Sequence, residues 1–259
     1  MTNSERSTIV ITGASSGIGR ALAVEMARRG HALGLTARRM ALLEQFRDEL
    51  HAAHGKNLRV ELAALDVCQS AGVGKTLHEL FARLGGIDTM VVNAGANDIT
   101  HIGGGDLAKE LNLIQTNLAG AIATINAATE HFLKRGKGHI VGISSLASLQ
   151  PIAAQAAYCA SKAGFSMYLE SARVELRRKG IAITDILPGY IKTDIVEGVD
   201  IGKLPFAISV EQAAREMTRL INRRVKHGVV PAFPWKLVRP FLGHLPERFG
   251  QVERLMNTR

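Results

Sequence analysis

The chain predicts an α/β protein, a doubly wound parallel sheet of about seven strands with helices on both faces. Three observations carry this. Apolar runs alternate with helical patterns over the first three-quarters of the 259 residues, the order that builds parallel βαβ units. Short apolar runs such as Met90–Val92, flanked by Asn93 and Gly95, suit strands covered on both sides. A glycine-rich turn separates the first strand from the first helix.

The elements follow in order. Thr8–Ile11 is a strand, and Ile18–Arg29 a helix ended by Gly30. Ala32–Thr36 is the second strand, Met40–His54 a helix with Gly55 behind it, and Arg59–Leu65 an alternating third strand. Val73–Leu84 is helical and Thr89–Val92 extended. Leu107–Arg135 is a long helical stretch with a break near Gly120. His139–Ile143 is the fifth strand, Ala156–Arg178 a helix ended by Gly180, and Ile181–Leu187 the sixth strand. Residues 196–209 carry few helix cues and form a loop. Ser209 then caps a helix running to about Arg224, with Gln212 in the capping-box position. Val229-Val230 is the last strand. Residues 231–246 hold four of the seven prolines and the only Trp, and they fold over the domain as a lid or tail. The chain is therefore one domain over 1–230, with a substrate loop at about 190–210 and a C-terminal segment 231–259 packed on it.

Hydrophobic residues make up 46% and charged residues 21%, which excludes a disordered chain, a coiled coil and a collagen-like fibre. Two cysteines, Cys68 and Cys159, make no disulfide framework and fit a reducing compartment. No apolar run reaches the roughly 18 residues of a membrane span, and the first residues lack a signal-peptide pattern. The expected location is cytoplasmic. The net charge of +9 is spread in short clusters such as Arg38-Arg39 and Arg223-Arg224, with a single Trp in the chain. That distribution is a solvated surface and does not predict a nucleic-acid partner. His101 and His131 lack partners at metal-ligand spacing, so no metal is expected. Cys159 reads as a packed thiol, and Met217 and Leu220 as core.

The first strand runs into Thr12-Gly13-Ala14-Ser15-Ser16-Gly17-Ile18-Gly19. Glycines there permit a sharp turn and close approach of a pyrophosphate, and the helix N-terminus offers free N–H groups and positive potential. After the second strand, an acidic residue would hold the ribose of NAD and a basic one the 2′-phosphate of NADP. Here Ala37 is followed by Arg38 and Arg39. Guanidinium groups are unfavourable at a helix start and suited to phosphate, so the coenzyme reads as NADP(H) rather than NAD(H). Asp66-Val67 ends the third strand, where the carboxylate either accepts from an adenine amino group or caps the next segment. Asn93-Ala94-Gly95 ends the fourth and suits a turn beside a ligand or turn chemistry alone.

Ser144-Ser145 ends the fifth strand, Tyr158 lies 13 residues past Ser145, and Lys162 four further on. Spacing of four puts phenol and ammonium on one helix face. An ammonium nearby favours the phenolate and so lowers the phenol's pKa, and such a pair can exchange a proton with an alcohol or carbonyl oxygen.

These motifs, in this order, resemble the short-chain dehydrogenase/reductase family, a Rossmann-fold family, over residues 7–230. Asn117 stands 41 residues before Tyr158, and Pro188-Gly189 and Thr193 match the family's downstream positions. The resemblance implies that Tyr158 is the general acid or base and that Lys162 bonds the nicotinamide ribose and lowers the phenol pKa. It implies that Ser145 positions the substrate oxygen and that Asn117 holds a relay water. The nicotinamide would lie near Ile18, Pro188, Gly189, Ile191 and Thr193, with Arg38 and Ser15 at the 2′-phosphate. A homodimer or homotetramer is implied, joined through the helices that hold Asn117 and Tyr158. The implied function is an NADP-dependent carbonyl reductase or alcohol dehydrogenase. Two alternatives stay open: a non-catalytic dinucleotide-binding regulator, and a membrane-associated reductase of a lipid-like carbonyl whose tail contacts the bilayer.

Overall fold

The computed structural model describes residues 6–193, 204 and 206–244. Seven parallel strands lie in the order β3-β2-β1-β4-β5-β6-β9. They are β1 (Thr8–Thr12), β2 (Ala32–Ala37), β3 (Val60–Ala64), β4 (Thr89–Val92), β5 (Gly138–Ile143), β6 (Ile181–Pro188) and β9 (His227–Val230). A separate two-residue pair, β7 (Ile191–Lys192) and β8 (Ile208–Ser209), completes the numbering. The helices are α1 (Gly17–Arg28), α2 (Met40–His54), α3 (Ser70–Arg83), α4 (Leu107–Ile114), α5 (Gly120–Arg135), α6 (Ala156–Leu176), α7 (Val210–Asn222) and α8 (Trp235–Val238).

Strand order reverses at β1. The chain winds outward to β2 and β3, then returns to place β4 on the other side of β1. The carboxyl ends of β1 and β4 therefore part around a crevice, the place where open parallel sheets bind ligands. Two apolar layers hold the sheet. On one face Leu22 and Met26 of α1, Leu43 and Phe46 of α2, and Met217 and Ile221 of α7 pack against Ile11, Leu35 and Val141. On the other, Leu77 and Phe81 of α3, Ile125 and Phe132 of α5, and Phe165 and Leu169 of α6 cover Val10, Met90 and Ile140.

The predicted elements are present with shifted ends. α3 starts three residues before the apolar pattern does. The stretch 107–135 is one continuous helical path whose break is a π-turn, Gln115–Ala119, just before Gly120. Residues 208–209, read as loop, pair with Ile191–Lys192; the rest of the expected loop 196–207, apart from Leu204 and residues 206–207, lies outside the described residues. Ser209 caps α7 by accepting from Gln212 N at 3.2 Å. The reciprocal arm of the capping box is not made, because the Gln212 amide donates to Glu216 instead. Met217 is buried and Leu220 packs on the same core, as expected.

Gly19 seats α1 against the end of the sheet. A Cβ there would lie 2.4 Å from the Gly13 carbonyl oxygen and 2.5 Å from the Asn93 amide nitrogen. Neither neighbour is a free side-chain end, so the backbone must shift. Gly19→Ala is expected to lower the midpoint of thermal unfolding by about 5 °C or more, measured by calorimetry.

Candidate active site

The glycine turn leaves β1 with Gly13 in the left-handed region (φ 67°), where a Cβ would also touch the Ala94 backbone at 2.9 Å. Ser16 then opens α1 in an extended conformation with no side-chain cap, and the helix's first turn holds no acidic residue. The first N–H groups of α1 therefore keep their positive potential for a ligand. Arg38 and Arg39 follow β2 directly and are exposed, and neither is ion-paired among the described residues. An anionic, phosphate-bearing group fits this end of the cleft.

The turn is held from β4. Thr12 Oγ1 accepts from the N–H groups of Asn93 and Ala94, both at 3.0 Å, and the Asn93 amide donates to the carbonyls of Thr12 (2.9 Å) and Gly13 (3.3 Å). The Asn93 side chain thus serves the turn. Asp66 Oδ1 accepts from Cys68 N at 3.1 Å, so the local cap is realised. Val67 is buried in the core beneath Gly120.

Asn117 sits in the π-turn and is 1% exposed. Its Oδ1 accepts from Ala96 N at 2.8 Å, and its Nδ2 donates to Ala96 O at 2.9 Å and to Ser161 Oγ at 3.1 Å. Both donors and one acceptor position are engaged, which leaves one lone pair of Oδ1 for a further donor. A π-turn adds a residue within a helical turn and is common at functional sites. Here it coincides with the point where Asn117 clasps the loop after β4.

Tyr158 and Lys162 lie on the buried face of α6, one turn apart. Lys162 Nζ donates to the Ile143 carbonyl at 3.0 Å and lies 5.9 Å from the Tyr158 ring centre. The residues meet in a cavity of about 170 Å³, whose wall includes Ser145, Tyr158, Lys162, Gly189, Thr193 and Trp235. Ile18, Asn93, Gly95, Pro188 and Ile191 border the same space. Arg38, Arg39, Asp66 and Val67 lie away from it, at the ends of β2 and β3. Ser145 Oγ accepts from Ala147 N at 3.1 Å, which fixes the side chain in the cavity wall.

One electrostatic expectation is corrected. Burial, the largest influence, raises the Tyr158 phenol above its ordinary value, and the Ser145 hydroxyl only partly offsets this. Lys162 is itself pushed down to about 8 by burial. The reason is geometric: the ammonium is anchored on a carbonyl rather than on the phenol oxygen, and both groups have lost water. Leu146, Gln150 and Gln155 also line the cavity. Sequence reasoning passed them over, because they come from the short 3-10 turn after β5 and the approach to α6, where no periodic pattern marks them. Cys159 is half-buried with its thiol pushed up by burial, in keeping with a packed role.

An amine held near 8 instead of 10.5 binds fewer protons folded than unfolded between those values. Stability therefore rises with pH across that window. Lys162→Met is expected to raise the thermal midpoint at pH 7 by about 3–6 °C, with the gain shrinking as pH climbs through the window, followed by calorimetry.

Comparison with known proteins accords with this geometry. The model of the short chain dehydrogenase family matches residues 7–203. An uncharacterised oxidoreductase of Myxococcus xanthus is 37% identical over 233 residues, 90% of this chain and 89% of that protein. The 11-beta-hydroxysteroid dehydrogenase A of Sesamum indicum is 31% identical, over 96% of this chain and 74% of its own length. A short-chain dehydrogenase from Sphingobium yanoikuyae, solved in complex with NADPH, superposes with a TM-score of 0.81 at 28% identity over 98% of both chains. The fold, the glycine turn and the matched length agree, and the chain is an oxidoreductase of the short-chain dehydrogenase/reductase family.

Proposed function

We propose that the protein transfers a hydride between NADP(H) and a carbonyl or alcohol substrate, with reduction as its working direction. The observation that carries this is the convergence of Tyr158, Ser145 and Lys162 on one cavity beside the glycine turn. The uncapped start of α1, with Gly13, Ser15, Ser16, Gly17, Ile18 and Gly19, would hold the pyrophosphate. Arg38 and Arg39 would hold the 2′-phosphate, and Asp66, Val67 and Asn93-Ala94-Gly95 would border the adenosine half. Pro188, Gly189, Ile191 and Thr193 would enclose the nicotinamide. The coenzyme supplies the hydride when bound. That the Sphingobium relative was solved with NADPH supports the NADP reading.

The chain's own residues handle the proton. Ser145 donates to the substrate oxygen and fixes its place. Tyr158 gives that oxygen its proton. A phenol raised by burial stays protonated at neutral pH, which is the form a reduction requires. The phenolate left behind is stabilised by the Lys162 ammonium, and Asn117 holds the water through which Lys162 and Tyr158 are recharged. Of the C-terminal segment 231–259, residues 231–244 act as the lid: Trp235 borders the cavity, and its indole nitrogen abuts Gly189. Residues 245–259 lie outside the described residues. Exposed Leu107, Leu111, Met167 and Val174 on α4 and α6 supply an apolar face for a second copy of the chain. The likeness to a hydroxysteroid dehydrogenase and the apolar cavity wall of Leu146, Ile152 and Trp235 favour a bulky apolar carbonyl.

Tyr158→Phe is expected to cut turnover by about 10³-fold in a carbonyl panel followed by NADPH absorbance, with coenzyme binding retained. Undiminished turnover would end the proton-donor assignment, and a chain that binds NADPH but turns over nothing in wild-type form would be the regulator. Arg38→Ala is expected to weaken NADPH binding by about 10–100-fold and to leave NADH binding unchanged in a fluorescence titration. Tighter binding of NADH by the wild type would reverse the coenzyme preference.

A further inference from the structure

The buried face of α6 continues past the two residues the reaction uses. Tyr158, Lys162, Ser166 and Glu170 follow at spacings of four, the first two buried and the last two half-buried, so a polar row runs beside the apolar one of Phe165 and Leu169 that packs on the sheet. Ser144, at the end of β5, bonds the Lys162 main-chain carbonyl at 3.2 Å and lies 2.7 Å from Ser166 Oγ. Opposite them on β6 stands Asp185, 2% exposed, with Oδ1 lacking a partner among the described residues. Its neighbours on that face of the strand, Ile183 and Leu187, are buried and apolar. The Ser166 hydroxyl lies near enough to the Asp185 carboxylate to favour its charged form. His227, in register with Asp185 on β9, places Nδ1 4.0 Å from Asp185 Oδ2 and Nε2 2.8 Å from Glu170 Oε1. Arg173 ion-pairs with Glu170 and donates to the carbonyls of Ile183 and Lys226.

A buried carboxylate with one oxygen unpartnered costs stability unless a charge needs it. No ion pair joins Asp185 to Lys162 among the described residues; the two are linked along the strands. Lys162 Nζ is bonded to Ile143 O, and Ile143 pairs with Ile186, the residue after Asp185. We propose that Asp185 is a positioning residue for Lys162: its buried carboxylate is the counter-charge that keeps the ammonium charged, and Ser166, His227, Glu170 and Arg173 hold that carboxylate in place. The assignment rests on the reading of Lys162 given under Proposed function.

The hydroxyl chain shows how the coupling works. With Asp185 ionised, Ser166 donates to it and Ser144 can donate to Ser166. With Asp185 protonated, the direction reverses and Ser144 donates to the Lys162 carbonyl. A carbonyl takes no proton onward, so Asp185 acts on the amine through its field and not by proton transfer. Burial raises Asp185 to about 6, with Ser166, Arg173 and Arg239 pulling it down and Glu170 pushing it up. Burial lowers His227, with Glu170 opposing and Arg239, Arg173 and Lys226 reinforcing. The carboxylate is thus charged at neutral pH, and it is the group that pulls Lys162 upward against burial.

Asp185→Asn keeps the shape and removes the charge. The test follows the affinity for NADPH, or NADH if that binds instead, from about pH 6 to about pH 10. The pH at which affinity falls, as Lys162 loses its proton, is expected to move down by about one unit in Asp185→Asn. Ser166→Ala, which unties the carboxylate and leaves its charge, moves it the same way by less, and it carries the test should Asp185→Asn not fold. An NMR titration of the Lys162 side chain reads the same displacement without coenzyme, so it stands even if no carbonyl is ever turned over. A folded Asp185→Asn whose profile superimposes on the wild type, or whose affinity drops equally at every pH, overturns the proposal.

Discussion

A lysine with 6% of its surface exposed is expensive to keep charged, and much of the site is arranged around the Lys162 ammonium. Its one hydrogen bond among the described residues goes to a carbonyl at the carboxyl end of β5. The amine therefore sits where the strand stops. The 21-residue α6 packs on the 3-10 turn after β5, and this fixes Tyr158 and Ser145 relative to the amine. The geometry of the cavity is in this sense a by-product of burying one charge in a defined place.

The second organising feature is the meeting of β1 and β4. Thr12 and Asn93 make reciprocal bonds across the strand ends, and Asn117 clasps Ala96 one layer further out. Side-chain groups here replace the ladder that ends with the strands, so the crevice stays open while its walls stay rigid. Conserving backbone order at a gap in a sheet requires such partners, because loop peptide groups next to a buried cleft have no water to turn to.

Much of this was legible in the sequence, and the reasons are local. Strand and helix order came through because β4 and β5 are short apolar runs and α1 and α2 end at glycines. The Thr12–Gly19 turn, Tyr158 and Lys162 were legible because chemistry imposes spacing on them. Other features left no mark. The π-turn at 115–119 depends on what packs against α4 and α5, which periodicity averages away. That the Asn93 side chain bonds the glycine turn needs the position of Thr12, 81 residues away. Asp185 did leave a signal, a charge among Ile and Leu on a strand, and so did the four-residue polar repeat of α6. Each reads as noise until the two elements are known to face each other. The direction of the Tyr158 shift was missed for a related reason: spacing reports proximity, and burial outweighed it.

The single Trp of the chain stands in the wall of the candidate cavity, with its indole nitrogen against Gly189 and its ring edge-on to Tyr190. An indole's emission responds to the polarity of its surroundings and to quenchers nearby. The protein therefore carries its own optical probe at the one place where occupancy matters, and no background from a second indole dilutes it.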